Sequence, residues 1–314
     1  MAVTLAHMGE FALAMEHSEK ALSLYDPERH RDDAFYYSQN PGVGTLCHAA
    51  WTLWFLGQPD QSLERMQEAL ALAHELSEPH GLAHALVFAA ILHQLRREVP
   101  MAQERAEAAI AVASEHGLMM YQAHALIMRG WALLEQGRPK EAIEQMRRGL
   151  AAHQATGAEV TRSHFMALLA EALGKARQHE EGLRILEDAH LLIHRNGERY
   201  YQAELYRLKG ELLLMQSTGR GVSRAAPAGK AVLEADPPAV AHAEGCFKES
   251  IKIAQQQKAK SLELRAVMSL ARLYRNRGKQ EEAKGLLAQV YDSFTEGFDT
   301  VDLREAKALL DELS

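Results

Sequence analysis

Small residues recur every forty positions along this chain, and that recurrence restricts the fold more than any other feature. Ala50, Ala90, Gly130, Ala170 and Gly210 form one column. A second holds Ser62, Ala102, Ala142 and Gly182, then Ala243 and Ala283. A third, seven residues further on, holds Ala69, Ala109, Gly149, Ala189 and Ser250, with Val290 its one larger member. Helices that cross closely need small side chains where their backbones meet, since a larger one there costs about 1–3 kcal/mol through overpacking. Residues 119–157 show the repeating unit. Ala123, Leu126, Ile127, Gly130, Leu133 and Leu134 have the i, i+3, i+4, i+7 spacing of one helical face. Gly137-Arg138-Pro139 then punctuates, glycine ending one helix and proline entering the first turn of the next. Ala142, Ile143, Met146, Gly149 and Leu150 repeat the pattern. So small a hairpin cannot bury its apolar faces alone and requires stacked copies.

The same register locates two insertions. From Ala14 to Ser62 is 48 residues, which puts eight extra between Ala14 and Ala50, at the loop 27–42. From Gly182 to Ala243 is 61, which puts 21 extra at the Gly/Ala/Pro-rich stretch 217–238, expected to be a flexible excursion. A single domain over 1–314 follows, with hairpins at about 1–26, 43–77, 81–117, 118–157, 158–197, 198–258 and 259–297. A last helix at 302–313, with Asp299 or Thr300 as candidate N-cap, is expected to cover the end of the stack. Ala2 already occupies the mid-helix column, so the first helix lacks most of its N-terminal half, and the expectation is a missing upstream region.

Alanine and leucine dominate and long β-branched runs are missing, which favours helix throughout. A net charge of -7 argues against a general nucleic-acid partner. Two cysteines, Cys47 and Cys246, lie far apart without a C-x-x-C pattern, so a reducing cytosol is the default compartment. The longest nearly uncharged run, 81–92, is too short to cross a bilayer, and the N-terminus has no basic leader. A cytoplasmic protein without a membrane partner is expected.

Gly130 and Ala142 twelve apart, Gly137 between them and Gly149 seven beyond resemble the tetratricopeptide repeat, with a period of 40 in place of the usual 34. Longer helices and turns such as 153–159 supply the difference. Further stretches extend the resemblance: His30-Arg31 through Pro41-Gly42-Val43, ERYYQAELYRLKGELLL at 198–214, KSLELRAVMSLARL at 260–273 and FTEGFDTVDLREAKALLDEL at 294–313. Together they look like the C-terminal region of bacterial class III adenylate/guanylate cyclase proteins carrying an AAA/STAND-type ATPase, over essentially the whole chain. The family's cyclase and nucleotide-binding residues would lie upstream, so none is carried onto this sequence.

Chemistry is sparse. No G-x-x-x-x-G-K-[ST], H-E-x-x-H or G-x-S-x-G occurs, and Glu180-Glu181 and Glu281-Glu282 fall where they complement a helix dipole. The i, i+4 pairs His80/His84 and His190/His194 have no sequence-adjacent third ligand, so metal binding is not expected. His84, His124 and His164 are 40 apart and share one column in three successive hairpins. The resemblance implies that the first helix of each hairpin lines a concave face. Its columns would hold Trp51, Ile91, Trp131, Glu171, Glu211 and Arg272, then Trp54, Gln94, Leu134, Leu214 and Arg275, with Glu204, Arg207 and Arg265 near the C-terminal end. The expected groove is aromatic and apolar near the N-terminal hairpins and charged toward the other end. The competing reading packs these side chains between adjacent hairpins, where tryptophan is common, and gives the histidine ladder a shared structural role.

The chain is thus read as an all-α, right-handed superhelical solenoid that binds rather than catalyses, with no cofactor. It would be a regulatory scaffold of a bacterial signalling protein. The concave groove would take a protein or peptide partner, or upstream domains of its parent. The alternative is a small-molecule effector sensor controlling an upstream STAND-type ATPase. A pocket between Trp51, Trp131 and the histidine column would favour the sensor, and an extended open groove the protein partner.

Overall fold

The computed structural model describes residues 1–30, 40–221 and 236–314. Among these residues fifteen helices and no strand occur, and the helices pair in chain order into seven antiparallel hairpins. They are α1 (Ala2–His7) with α2 (Phe11–Leu24), α3 (Pro41–Phe55) with α4 (Pro59–Leu76), and α5 (Pro79–Leu95) with α6 (Val99–Glu115). Next come α7 (Met119–Glu135) with α8 (Pro139–Ala155), α9 (Arg162–Lys175) with α10 (His179–Asn196), and α11 (Gln202–Gly221) with α12 (Pro237–Gln256). The seventh pair is α13 (Lys260–Asn276) with α14 (Gln280–Tyr291), and α15 (Val301–Glu312) closes the chain by packing on both. The architecture is an all-α, right-handed solenoid. The loop expected at 27–42 falls outside the described residues over 31–39, and the excursion expected at 217–238 does so over 222–235; residues 217–221 continue α11.

Local signals set the helix starts. Proline occupies the first turn of α3, α4, α5, α8 and α12, where its missing N–H leaves nothing unpaired. The Asn40 side chain accepts from Gly42 N and Val43 N to cap α3, and Glu78 does the same for α5 through His80 N and Gly81 N. Between the two helices of a hairpin one residue adopts a left-handed backbone, and it recurs in register: Gly57, Arg97, Gly137, Arg177 and Gly278.

The small-residue columns sit where helices cross. A methyl group on Gly130 would lie 2.8 Å from Met146 Cγ and 3.2 Å from the Ala142 carbonyl; one on Gly149 would lie 2.9 Å from the Ala123 carbonyl. Where the column carries serine, the hydroxyl uses that proximity. Ser62 Oγ donates to the Ala50 carbonyl and Ser250 Oγ to the Ala203 carbonyl, each at 2.6 Å. A small side chain is therefore required, and its polarity is tolerated when a carbonyl is within reach.

The first helix of each hairpin is the inner one. Twelve of fifteen residues of α3 and thirteen of seventeen of α5 are buried, against five of eighteen in α4 and four of seventeen in α6. Neighbouring hairpins alone do not bury an inner helix on every side. The rest of the cover comes from the superhelix closing on itself. The His7 carbonyl accepts from Arg199 N at 2.8 Å and Tyr200 N at 3.2 Å, so the start of hairpin six seats against hairpin one. Glu198 anchors that seam, accepting from Thr161 N at 2.6 Å and Ser163 Oγ at 3.0 Å, with His7 Nδ1 at 3.1 Å. Farther along, Ser261 Oγ donates to the Trp54 carbonyl and Arg265 Nη2 to the Leu95 carbonyl, which ties α13 to α3 and α5.

Candidate functional site

Closure decides what remains of the concave face. Trp51, expected on the groove, is 2% exposed and packs edge-on to Tyr200 at 4.4 Å and to Phe55 at 5.3 Å. Trp54 is 3% exposed beneath the Arg265 guanidinium, which lies 4.9 Å above its ring. Ile91 is buried as well. The aromatic, apolar stretch of groove expected near the N-terminal hairpins is therefore filled, because Tyr200, Tyr201 and α13 occupy it.

The histidine ladder is also interior. His84 stacks on Phe88 at 4.5 Å and approaches His48 at 5.7 Å. His124 lies between His153 at 4.9 Å and Phe165 at 4.8 Å. His164 stacks on Tyr201 at 4.0 Å, and its Nε2 donates to Gln94 Oε1 at 2.9 Å, since that oxygen can only accept. Burial depresses all three imidazoles, His124 and His164 to about 3, so they are neutral side chains of the packing. Among the described residues no group of three or more His, Cys, Asp or Glu is placed to hold a metal ion.

What stays open is a cavity of about 250 Å³ on the inner face. Trp131, Glu171, Glu204, Arg207, Arg265 and Arg272 line it, and Glu211 lies beside it, accepting from Ser269 Oγ at 2.6 Å. The cavity has three parts. On one side Arg97, Arg265 and Arg272 meet two carboxylates of α15: Arg97 Nη1 lies 3.2 Å from Asp302 and 2.9 Å from Glu305, Arg265 Nε 2.7 Å from Asp302, and Arg272 Nη2 3.2 Å from Glu305. On the other, Lys175 bridges Glu135 at 2.5 Å and Glu171 at 3.3 Å. Between them Glu204 and Arg207 pair through two hydrogen bonds, 2.7 and 2.9 Å long. Burial alone would raise the Glu204 carboxyl; Arg207 and Arg265 hold it below its ordinary range. Burial likewise works against the Arg265 cation, and Asp302 and Glu204 keep it firmly charged.

Arg97, Glu135, Lys175, Tyr201, Met268, Asp302 and Glu305 also line the cavity, and the column reading misses them. Some left a signal. Glu135 and Lys175 are 40 apart and end successive inner helices with opposite charge, and Arg97, like Arg177, stands in a turn position that is glycine at Gly57, Gly137 and Gly278. Asp302 and Glu305 left none, because they arrive only through closure.

A model of the Tetratricopeptide repeat family matches residues 123–152, the fourth hairpin. An uncharacterized protein of Rhizobium meliloti (strain 1021) is 22% identical over 210 residues; these are 66% of this chain and 20% of that protein, so the chain spans about a fifth of the curated relative it matches. Among solved structures, apo RapI superposes with a TM-score of 0.55 at 12% identity, over 96% of this chain and 92% of that one. A Rap protein complexed with competence and sporulation factor superposes with a TM-score of 0.58 at 9% identity, over 97% and 80%. At such identities the likeness is one of fold: a TPR-like helical solenoid.

Proposed function

We propose that this chain is a non-catalytic binding and regulatory region of a bacterial signalling protein, acting through its concave cavity. The observation that carries the reading is the convergence there of charged side chains from five successive hairpins and the closing helix. Charges so placed give orientation and specificity rather than bulk affinity. The parent is a cyclase or STAND-type ATPase regulator, supported by the stretches 198–214, 260–273 and 294–313. A partner protein, or an upstream part of the parent, engages at the cavity mouth, where Arg97, Arg272, Glu305 and Lys175 are all more than a third exposed. The test is affinity purification with cross-linking from the source cells. A partner should be captured by the native chain and lost with the charge reversals Glu171→Lys and Arg272→Glu, while Arg184→Glu on the outer helix α10 retains it. Equal capture by all three variants would refute the reading.

The second reading, a small-molecule sensor, gains from closure. A solenoid whose inner face, among the described residues, is largely filled around a charged cavity of about 250 Å³ suits a compact effector better than an extended segment.

A further inference from the structure

The charges of the cavity are not mixed at random. The side formed by the turn after α5, by α13 and by α15 carries three guanidiniums, Arg97, Arg265 and Arg272, against two carboxylates, Asp302 and Glu305, an excess of one positive charge. The side formed by α7 and α9 carries two carboxylates, Glu135 and Glu171, against the single ammonium of Lys175, an excess of one negative charge. Glu204 and Arg207 between them cancel. Among the described residues no ion pair joins the two sides, so the dipole across the cavity is not internally quenched.

Hydrogen-bonding capacity is left over in the same sense. Arg97 reaches both α15 carboxylates through Nη1, and Arg272 reaches Glu305 through Nη2, so other N–H donors of both guanidiniums remain for a ligand. Glu135 and Glu171 each pair with Lys175 and keep further lone pairs. The Trp131 indole and the Met268 thioether give the cavity apolar surface.

We infer that the cavity binds a small zwitterion, its carboxylate on Arg97 and Arg272 and its primary ammonium on Glu135 and Glu171. Its apolar body lies against Trp131 and Met268. At about 250 Å³ the space suits a free amino acid or a dipeptide, which share this chemistry. The inference rests on the reading of the cavity as a binding site and names the class of effector. The two sides belong to different parts of the superhelix, hairpins four and five on one hand, hairpin seven with α15 and the end of α5 on the other. A bridging ligand therefore favours the closed form over any opened one.

Calorimetric titration of the whole chain with L-leucine, L-phenylalanine and leucyl-leucine tests this, with N-acetyl-leucine and leucine amide as charge-blocked controls. The expected result is one-to-one binding of at least one zwitterion, with a rise in melting temperature, and at least tenfold weaker binding of both blocked analogues. Glu171→Gln and Arg272→Gln should each weaken the zwitterion at least fivefold, with Glu135→Gln as the substitute should Glu171→Gln fail to fold. Absence of binding by all three zwitterions, equal binding of the blocked analogues, or unchanged affinity in the folded variants would overturn it. Should the zwitterions fail while Glu171→Lys and Arg272→Glu still abolish partner capture, the binding-region reading stands and only the effector class falls.

Discussion

Arg177 and Arg97 hold φ near +62° and +61° at a turn position where Gly57, Gly137 and Gly278 stand in the equivalent units. A non-glycine residue there carries roughly 1–2 kcal/mol of steric strain, of which glycine's greater freedom in the unfolded chain offsets about half. Arg177 is exposed and makes no ion pair among the described residues, so Arg177→Gly should stabilise the fold by about 0.5–1 kcal/mol, read as a higher urea midpoint at unchanged m. Arg97 contacts Asp302 and Glu305, so the same substitution there should lose the gain. The opposite experiment sits in the small-residue column. A side chain on Gly149 would meet Ile127 Cγ1 at 2.5 Å and the Ala123 carbonyl at 2.9 Å, and a carbonyl inside a helix cannot step aside. Gly149→Val should therefore destabilise by about 1–3 kcal/mol, whereas a change confined to the unfolded chain would give less than 1 kcal/mol of either sign. Such columns are legible in sequence because size alone is selected, as the Ser62 and Ser250 hydroxyls show by each finding a carbonyl of the facing helix.

At the scale of elements, closure of the superhelix depends on a reciprocal cap. Glu296, in the turn before α15, accepts from Asp60 N at 2.9 Å, Gln61 N at 3.1 Å and Gln61 Nε2 at 2.8 Å, satisfying the free N–H groups at the start of α4. Asp60 returns the favour, its carboxylate accepting from Gly297 N at 2.9 Å. Losing a cap typically costs about 1 kcal/mol. Glu296→Ala and Asp60→Ala should each cost about that, and the double variant should cost less than their sum, because either change loosens the same turn. Strict additivity in urea unfolding would show the two caps to be independent. The helices themselves could be read from apolar periodicity and proline placement, which are local. These caps could not: 235 to 237 residues separate their partners, and neither Glu296 nor Asp60 belongs to a repeating column.

On the scale of the whole molecule, the same closure explains which functional expectations survive contact with the structure. Periodicity assigns residues to the inner face, and it cannot tell whether that face is open or covered by the chain's own return. Trp51, His84 and His124 share their faces with cavity residues yet lie in the packing, whereas Asp302 and Glu305, outside any repeat, line the cavity. Burying the histidine ladder has a measurable consequence. Burial lowers His48 to about 4 and His124 and His164 to about 3, and holds His84 well below 6.5, against a value of 6.5 for the exposed side chain. Their immediate charged or titratable neighbours are His7 and His84 for His48, His48, His80 and His124 for His84, His84 and His153 for His124, and Glu204 with Arg265 for His164. Because the folded-state values are depressed, the unfolded chain binds more protons as soon as pH falls below 6.5. Stability should then be complete above about pH 7 and decline from 6.5 toward 4. Each such histidine contributes a slope approaching 1.4 kcal/mol per pH unit. Carboxylates held low by their partners, Glu98 and Glu204 among them, add their own loss only below their ordinary value of 4.5, so the two windows separate. Urea unfolding at pH 7.5, 6.5 and 5.5 should show a steep fall between the last two, and His124→Gln should lower the slope there by about one proton. A flat profile down to pH 5 would mean that the imidazoles find water or a proton acceptor in the folded chain.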